Sequence, residues 1–155
     1  MSPQPPRSAP SRRTLFRGTA GLGLVLAAGP TVTACSTGPS ERQQSAQALV
    51  PLLVSAQNQQ RQAQQLAPTE TDYTRALGQV ATERGEHAQA LLDEINRLNA
   101  STASDVPSAT TVRPLDLDGL RAALSSAATQ AAVTAAEASG FQAGLLASIS
   151  ASCTT

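Results

Sequence analysis

The sequence predicts an all-α fold: an up-down antiparallel bundle of four helices, or of three if the break at Gly140 fails. Three observations point there. Apolar residues after position 40 recur at intervals of three and four, which gathers them on one helix face at about 100° per residue. No run alternates β-branched or aromatic residues with polar ones, so nothing reads as a strand. Most connections between the periodic segments are short, and short connections make consecutive helices antiparallel neighbours.

The first helix spans about Glu41 to Ala67, with Leu49, Leu52, Leu53, Ala56, Ala63 and Ala67 on one side and Gln over much of the remainder. Pro51 has no N–H to donate, so it is expected to kink this helix or to mark its true start. Ala67-Pro68-Thr69-Glu70 closes the segment, and Thr71 or Asp72 caps the next. In the second helix Tyr73, Leu77, Val80, Leu91, Ile95 and Leu98 share one face, and the pattern stops near Asn99. Ala100 to Pro114 is rich in Ser, Thr and Pro and reads as a mobile loop, the long linker of the domain. Asp116 or Asp118 then caps a third helix. Its stripe of Leu117, Leu120, Leu124, Ala127, Ala128, Ala131, Ala135 and Ala138 is mostly Ala, which lets a neighbouring backbone approach closely. Ser139-Gly140 ends it, and a shorter helix from Phe141 to about Cys153 carries Leu145, Leu146 and Ile149.

Composition narrows the function classes. A chain of 155 residues has room for one domain. Phe16, Tyr73 and Phe141 are its only aromatic residues, Trp and Lys are absent, and all eleven cations are Arg. With so few rings to stack on bases or grip sugars, nucleic acid and carbohydrate are poor partners. The neutral total also hides an asymmetry. Residues 1–34 hold Arg7, Arg12, Arg13 and Arg17 without an acid, and the remainder sets seven Arg against eleven acids, a formal charge of −4. An acidic body again disfavours a polyanionic partner.

The basic leader is followed by a weakly apolar stretch, Gly21 to Ala28, then Gly29-Pro30 and the small residues before Cys35. A basic region, a short apolar core and small residues at a cleavage point make a secretory signal. The apolar run falls short of the roughly 20 residues that span a bilayer. Ser11-Arg12-Arg13-Thr14-Leu15-Phe16-Arg17 resembles the twin-arginine export motif, with Phe and Leu exchanged and Arg at the Lys position. Val32-Thr33-Ala34-Cys35 resembles a bacterial lipobox, whose Cys is lipidated and becomes the first residue. The two resemblances imply a signal peptide over 1–34, a lipidated Cys35 with a flexible tether over 35–40, and a helical domain over 41–155. Two or three acyl chains on one sulfur and its new N-terminus, palmitate among them, anchor firmly at about 0.8 kcal/mol per buried CH₂.

Within the second helix, Arg84 and His87 occupy stripe positions between Val80 and Leu91 where the period asks for apolar residues. Glu83 precedes His87 by four residues and Glu94 follows it by seven. A buried cation is costly unless paired, so these acids, or a Gln of the first helix such as Gln60, are expected as partners. Glu83, Arg84, His87 and Glu94 thus outline a candidate polar pocket, or a satisfied polar layer between helices. Cys153 becomes the sole thiol once Cys35 carries lipid: either a small apolar residue on the last helix or the site of an intermolecular disulfide. Without lipid, Cys35 could pair with Cys153.

The segments Glu83-Arg84-Gly85-Glu86-His87-Ala88 through Leu98 and Ala143 to Cys153 resemble those of actinobacterial-type, twin-arginine-exported, alanine-rich lipoproteins with a ferritin-like domain of unknown function. The resemblance implies the bundle and no activity. A ferritin-like di-iron site takes Glu-x-x-His on two helices and two further Glu. Here there is one His, and Arg84 stands three residues before it. No cofactor or metal site is therefore expected, apart from a weak hold on one ion by Glu83, His87 and Glu94. No nucleophile elbow, phosphate loop or paired Cys for zinc is present. The expected protein is a lipid-anchored extracytoplasmic binding or interaction module on the outer face of the cell membrane, without catalysis. Its expected partners are the membrane, the export machinery, lipoprotein signal peptidase and an envelope component. The alternative is a ferritin-like metal- or cofactor-binding redox protein centred on His87.

Overall fold

A computed structural model of the chain describes residues 39–107 and 112–154. The expected leader, with Arg12, Arg13 and Cys35, lies outside the described residues. The helices are α1 (Glu41–Leu66), α2 (Thr74–Leu98), the short α3 (Ala100–Ser104), α4 (Leu117–Glu137) and α5 (Gly140–Ser152). No strand occurs among the described residues. The all-α bundle read from the periodicity is the observed architecture, and Gly140 does separate two helices.

Local chemistry sets the boundaries. Ser40 caps α1, its hydroxyl accepting from the Gln43 N–H at 3.2 Å, and α1 continues through Pro51 instead of starting there. Pro51 and Gln47 are both exposed, so the Gln47 carbonyl, left without a helical donor, can turn to water. A 3-10 turn at Thr71–Tyr73 leads into α2. Tyr73, expected on the apolar face, sits in that turn and is 55% exposed. The linker is not structureless throughout. Asn99 accepts from the Thr102 N–H at 2.9 Å and starts α3, a local side-chain cap that the Ser/Thr composition concealed. Asp116 caps α4 through the Gly119 N–H at 2.8 Å. Gly140 adopts φ +56°, the left-handed region open to glycine, and turns the chain sharply from α4 into α5.

The helix directions follow from which ends meet. The Arg42 guanidinium donates to the Arg97 carbonyl at 2.9 Å, joining the start of α1 to the end of α2, so the two are antiparallel. Ser150 donates to the Ala128 carbonyl between the α4 and α5 partners of a second antiparallel hairpin. Leu120 at the start of α4 packs with Ala63 and Leu66 at the end of α1 and with Leu77 and Ala81 at the start of α2. Hence α4 runs parallel to α2. The connection 99–116 carries the chain back along the bundle between two hairpins, one long crossover where strict alternation would need a short turn.

Apolar residues form two clusters along the axis. In the first, all four long helices contribute: Leu49, Leu52 and Leu53 of α1, Leu91 and Ile95 of α2, Ala131 of α4, and Leu146 and Ile149 of α5. In the second, only α1, α2 and α4 contribute. The reason is length. At about 1.5 Å per residue, the 13 residues of α5 reach about half as far as the 26 of α1. The bundle has four helices at one end and three at the other, and α5 stops at the level of Arg84.

Candidate functional site

At that level the helical period of α2 turns Arg84 inward, and the side chain is only 3% exposed. Its Nη1 donates to His87 Nδ1 at 3.1 Å, one turn along the same helix. The same nitrogen donates to Cys153 Sγ at 3.0 Å, at the end of α5. Because a guanidinium can only donate, Nδ1 must accept, which puts the imidazole proton on Nε2 and leaves the ring neutral. Arg84 Nε is buried with no hydrogen-bond partner. The ion pairs among the described residues are Arg97–Glu94 and Arg121–Asp118, so no carboxylate neutralises Arg84.

This contradicts the pairing expected from the sequence. Glu94 does not converge on His87. It is 2% exposed, and both its oxygens accept from Arg97, at 2.6 and 2.7 Å. Seven residues advance the helix by about 10 Å, which sets the Glu94 carboxylate apart from the His87 ring. Glu83 does lie in the pocket, but its oxygens accept from Gln79 Nε2 at 2.8 Å and Ser152 Oγ at 3.1 Å. Gln60 packs over Gly85, where a Cβ would meet its Nε2 at 2.6 Å. Of the four expected pocket residues, the structure gathers Glu83, Arg84 and His87 and adds Ser152 and Cys153. The weak ion site of Glu83, His87 and Glu94 is not assembled, and no other cluster of three metal-ligating side chains occurs among the described residues.

Environment sets the charge states. Burial, opposed by Cys153, lowers the Arg84 pKa. Burial and then the adjacent Arg84 lower the His87 pKa, against the smaller pull of Glu83 and Glu86. Burial raises the Cys153 thiol, with Arg84 partly offsetting it. The hydrogen bond from Gln79, together with those of Ser152 and the field of His87, holds Glu83 below its ordinary range despite some desolvation. At neutral pH the pocket therefore holds one carboxylate, one guanidinium, a neutral imidazole and a protonated thiol.

Glu83, Arg84 and Cys153, though not His87, border a groove of about 250 Å³ whose lining is completed by Ala76, Gln79, Val80, Leu124 and Ser152. It exists because α5 ends there and leaves the space between α2 and α4 uncovered. A second depression, about 190 Å³, lies where α1, α4 and α5 meet, among Gln44, Thr134, Glu137 and Gln142. It contains no buried charge.

The sequence reading missed two residues of the same polar level. Gln59 is buried and donates to the Ala123 carbonyl at 2.8 Å and to Ser55 Oγ at 3.1 Å. Gln62 is buried and donates to the Arg113 carbonyl at 3.4 Å, fastening the crossover to α1. Their positions three residues after Ala56 and Gln59 fit the buried period. No family model matches the chain, and the curated proteins and the solved structures compared with it yield no match. The class stated from the structure is an all-helical bundle with a charged groove where its fourth helix stops.

Proposed function

We propose that the protein is an exported lipoprotein, held to the outer face of the cell membrane by acyl chains on Cys35, whose helical bundle is a non-catalytic binding module. The observation that carries the reading is one of order: Arg12-Arg13, an apolar stretch, Val32-Thr33-Ala34-Cys35, and then the helical body whose first helix starts at Glu41. No helix among the described residues is long and apolar enough to cross a membrane. Supporting the binding role, the nearly fully buried Arg84 lines the groove without an ion pair to any carboxylate among the described residues. Two antiparallel hairpins joined by one long crossover are also the course of ferritin-like bundles, which favours that resemblance at the level of fold alone.

The test is labelling with radioactive palmitate in a bacterium with twin-arginine export. The wild-type chain incorporates label, Cys35→Ala does not and stays unprocessed, and changing Arg12 and Arg13 together to Lys blocks export. Equal labelling of Cys35→Ala would refute the anchor.

A further inference from the structure

The groove holds charges of both signs on adjacent residues of one helix. Glu83 and Arg84 both line it, and they are not paired with each other. Arg84 is the deeper, more than nine-tenths buried, with its Nε lacking any partner. Glu83 is only half-buried, and each of its oxygens already accepts one hydrogen bond. A carboxylate oxygen has room for a second. Besides Gln79 and Ser152, which donate to Glu83, and Cys153, which accepts from Arg84, the wall is apolar: Ala76, Val80 and Leu124.

Each simpler ligand meets an obstacle here. A bare anion drawn to Arg84 is repelled by Glu83, and a bare cation drawn to Glu83 is repelled by Arg84. A neutral apolar molecule leaves the guanidinium as it is, buried and unneutralised, at a cost. A molecule carrying both charges a few ångströms apart satisfies both walls. The volume limits it further, because about 250 Å³ lies below the roughly 300–1,000 Å³ of ordinary small-molecule sites. We propose that this groove binds a small zwitterion, a free α-amino acid with a short aliphatic side chain: its carboxylate toward Arg84, its ammonium on Glu83 and its side chain against Val80 and Leu124. The inference rests on the reading of the bundle as a binding module and not on the anchor. A failure of palmitate labelling and a failure of ligand binding are therefore separate results.

The experiment is calorimetric titration of the full chain, purified in mild detergent, with L-valine, N-acetyl-L-valine and L-valinamide. Valine binds saturably. The N-acetyl compound has lost the ammonium and the amide has lost the carboxylate, so each binds at least tenfold more weakly. Glu83→Gln keeps the shape of the side chain and lowers valine affinity at least tenfold; Arg84→Met abolishes binding while circular dichroism shows the helices intact. Three results overturn the proposal: no saturable binding of valine, binding of either derivative as tight as valine, or valine affinity unchanged in Glu83→Gln. The last would place any amino-acid site elsewhere.

Discussion

Replacing Arg84 by Met should make the bundle more stable, because the native state carries a guanidinium that it neutralises poorly. Even after relaxation, burying an ion costs several kcal/mol. Arg84, 3% exposed, offsets part of this with one charge-assisted hydrogen bond to His87 and a weaker one to the Cys153 sulfur. A hydrogen bond to a charged group returns about 1.5–3 kcal/mol, and a thiol returns less, so a deficit of about 1–3 kcal/mol remains. Met fills the volume of the aliphatic stem and carries no charge. The Nδ1 of His87 loses its donor, but the ring is only half-buried and can be hydrated. Urea unfolding followed by circular dichroism at neutral pH should give Arg84→Met a higher midpoint at unchanged slope, a gain of about 1–3 kcal/mol. A loss of more than about 2 kcal/mol would refute the reasoning and mean that the native state supplies a counter-charge to Arg84. The same variant should bind no valine, so stability and binding move in opposite directions, as expected where a site holds an under-satisfied group.

Other consequences follow from the packing and the titrating groups. Leu91 is fully buried in the four-helix cluster, so Leu91→Ala should cost about 2–5 kcal/mol in the same assay. Gly140→Ala places a Cβ on a residue at φ +56° and should lower stability by about 1 kcal/mol or more; no loss would show that the α4–α5 turn tolerates another conformation. The His87 pKa is depressed in the fold, so the unfolded chain takes up this proton first as pH falls. The stability linked to it is present above the ordinary imidazole value of 6.5 and is lost as pH drops below it. Against wild type, His87→Gln should flatten the stability profile between roughly pH 7 and 5, and an unchanged slope would contradict the assignment. Glu83, also depressed, loses its contribution only at lower pH, below the ordinary carboxyl value of 4.5.

The sequence made the helices legible wherever local chemistry and period agreed. The Asp116 cap acts within four residues, the Gly140 turn within two, and the α2 face was visible from Leu77, Leu91 and Ile95. Where an outcome depended on distant segments, the pattern was silent. A linker as long as Ala100–Pro114 permits either direction for the next helix, and only the packing of Leu120 beside Leu77 decides it. Inward-facing Arg84 could be read from the period, but not its partners. Cys153 lies 69 residues away in sequence, and a rule that buried cations meet acids chose Glu94, which Arg97 occupies. Tyr73 was misplaced because an aromatic one turn before Leu77 fits the stripe, whereas the 3-10 turn rotates it outward. The groove could not be read at all, since it arises from the short reach of α5 against its neighbours.

The lipoprotein account is tested most directly by intact-mass measurement of the native protein extracted from membranes. The account predicts a chain that begins at Cys35, heavier than its residues by a diacylglyceryl group, with or without a further acyl chain. A chain that retains residues 1–34, or one with an unmodified Cys35 sulfur, would contradict it.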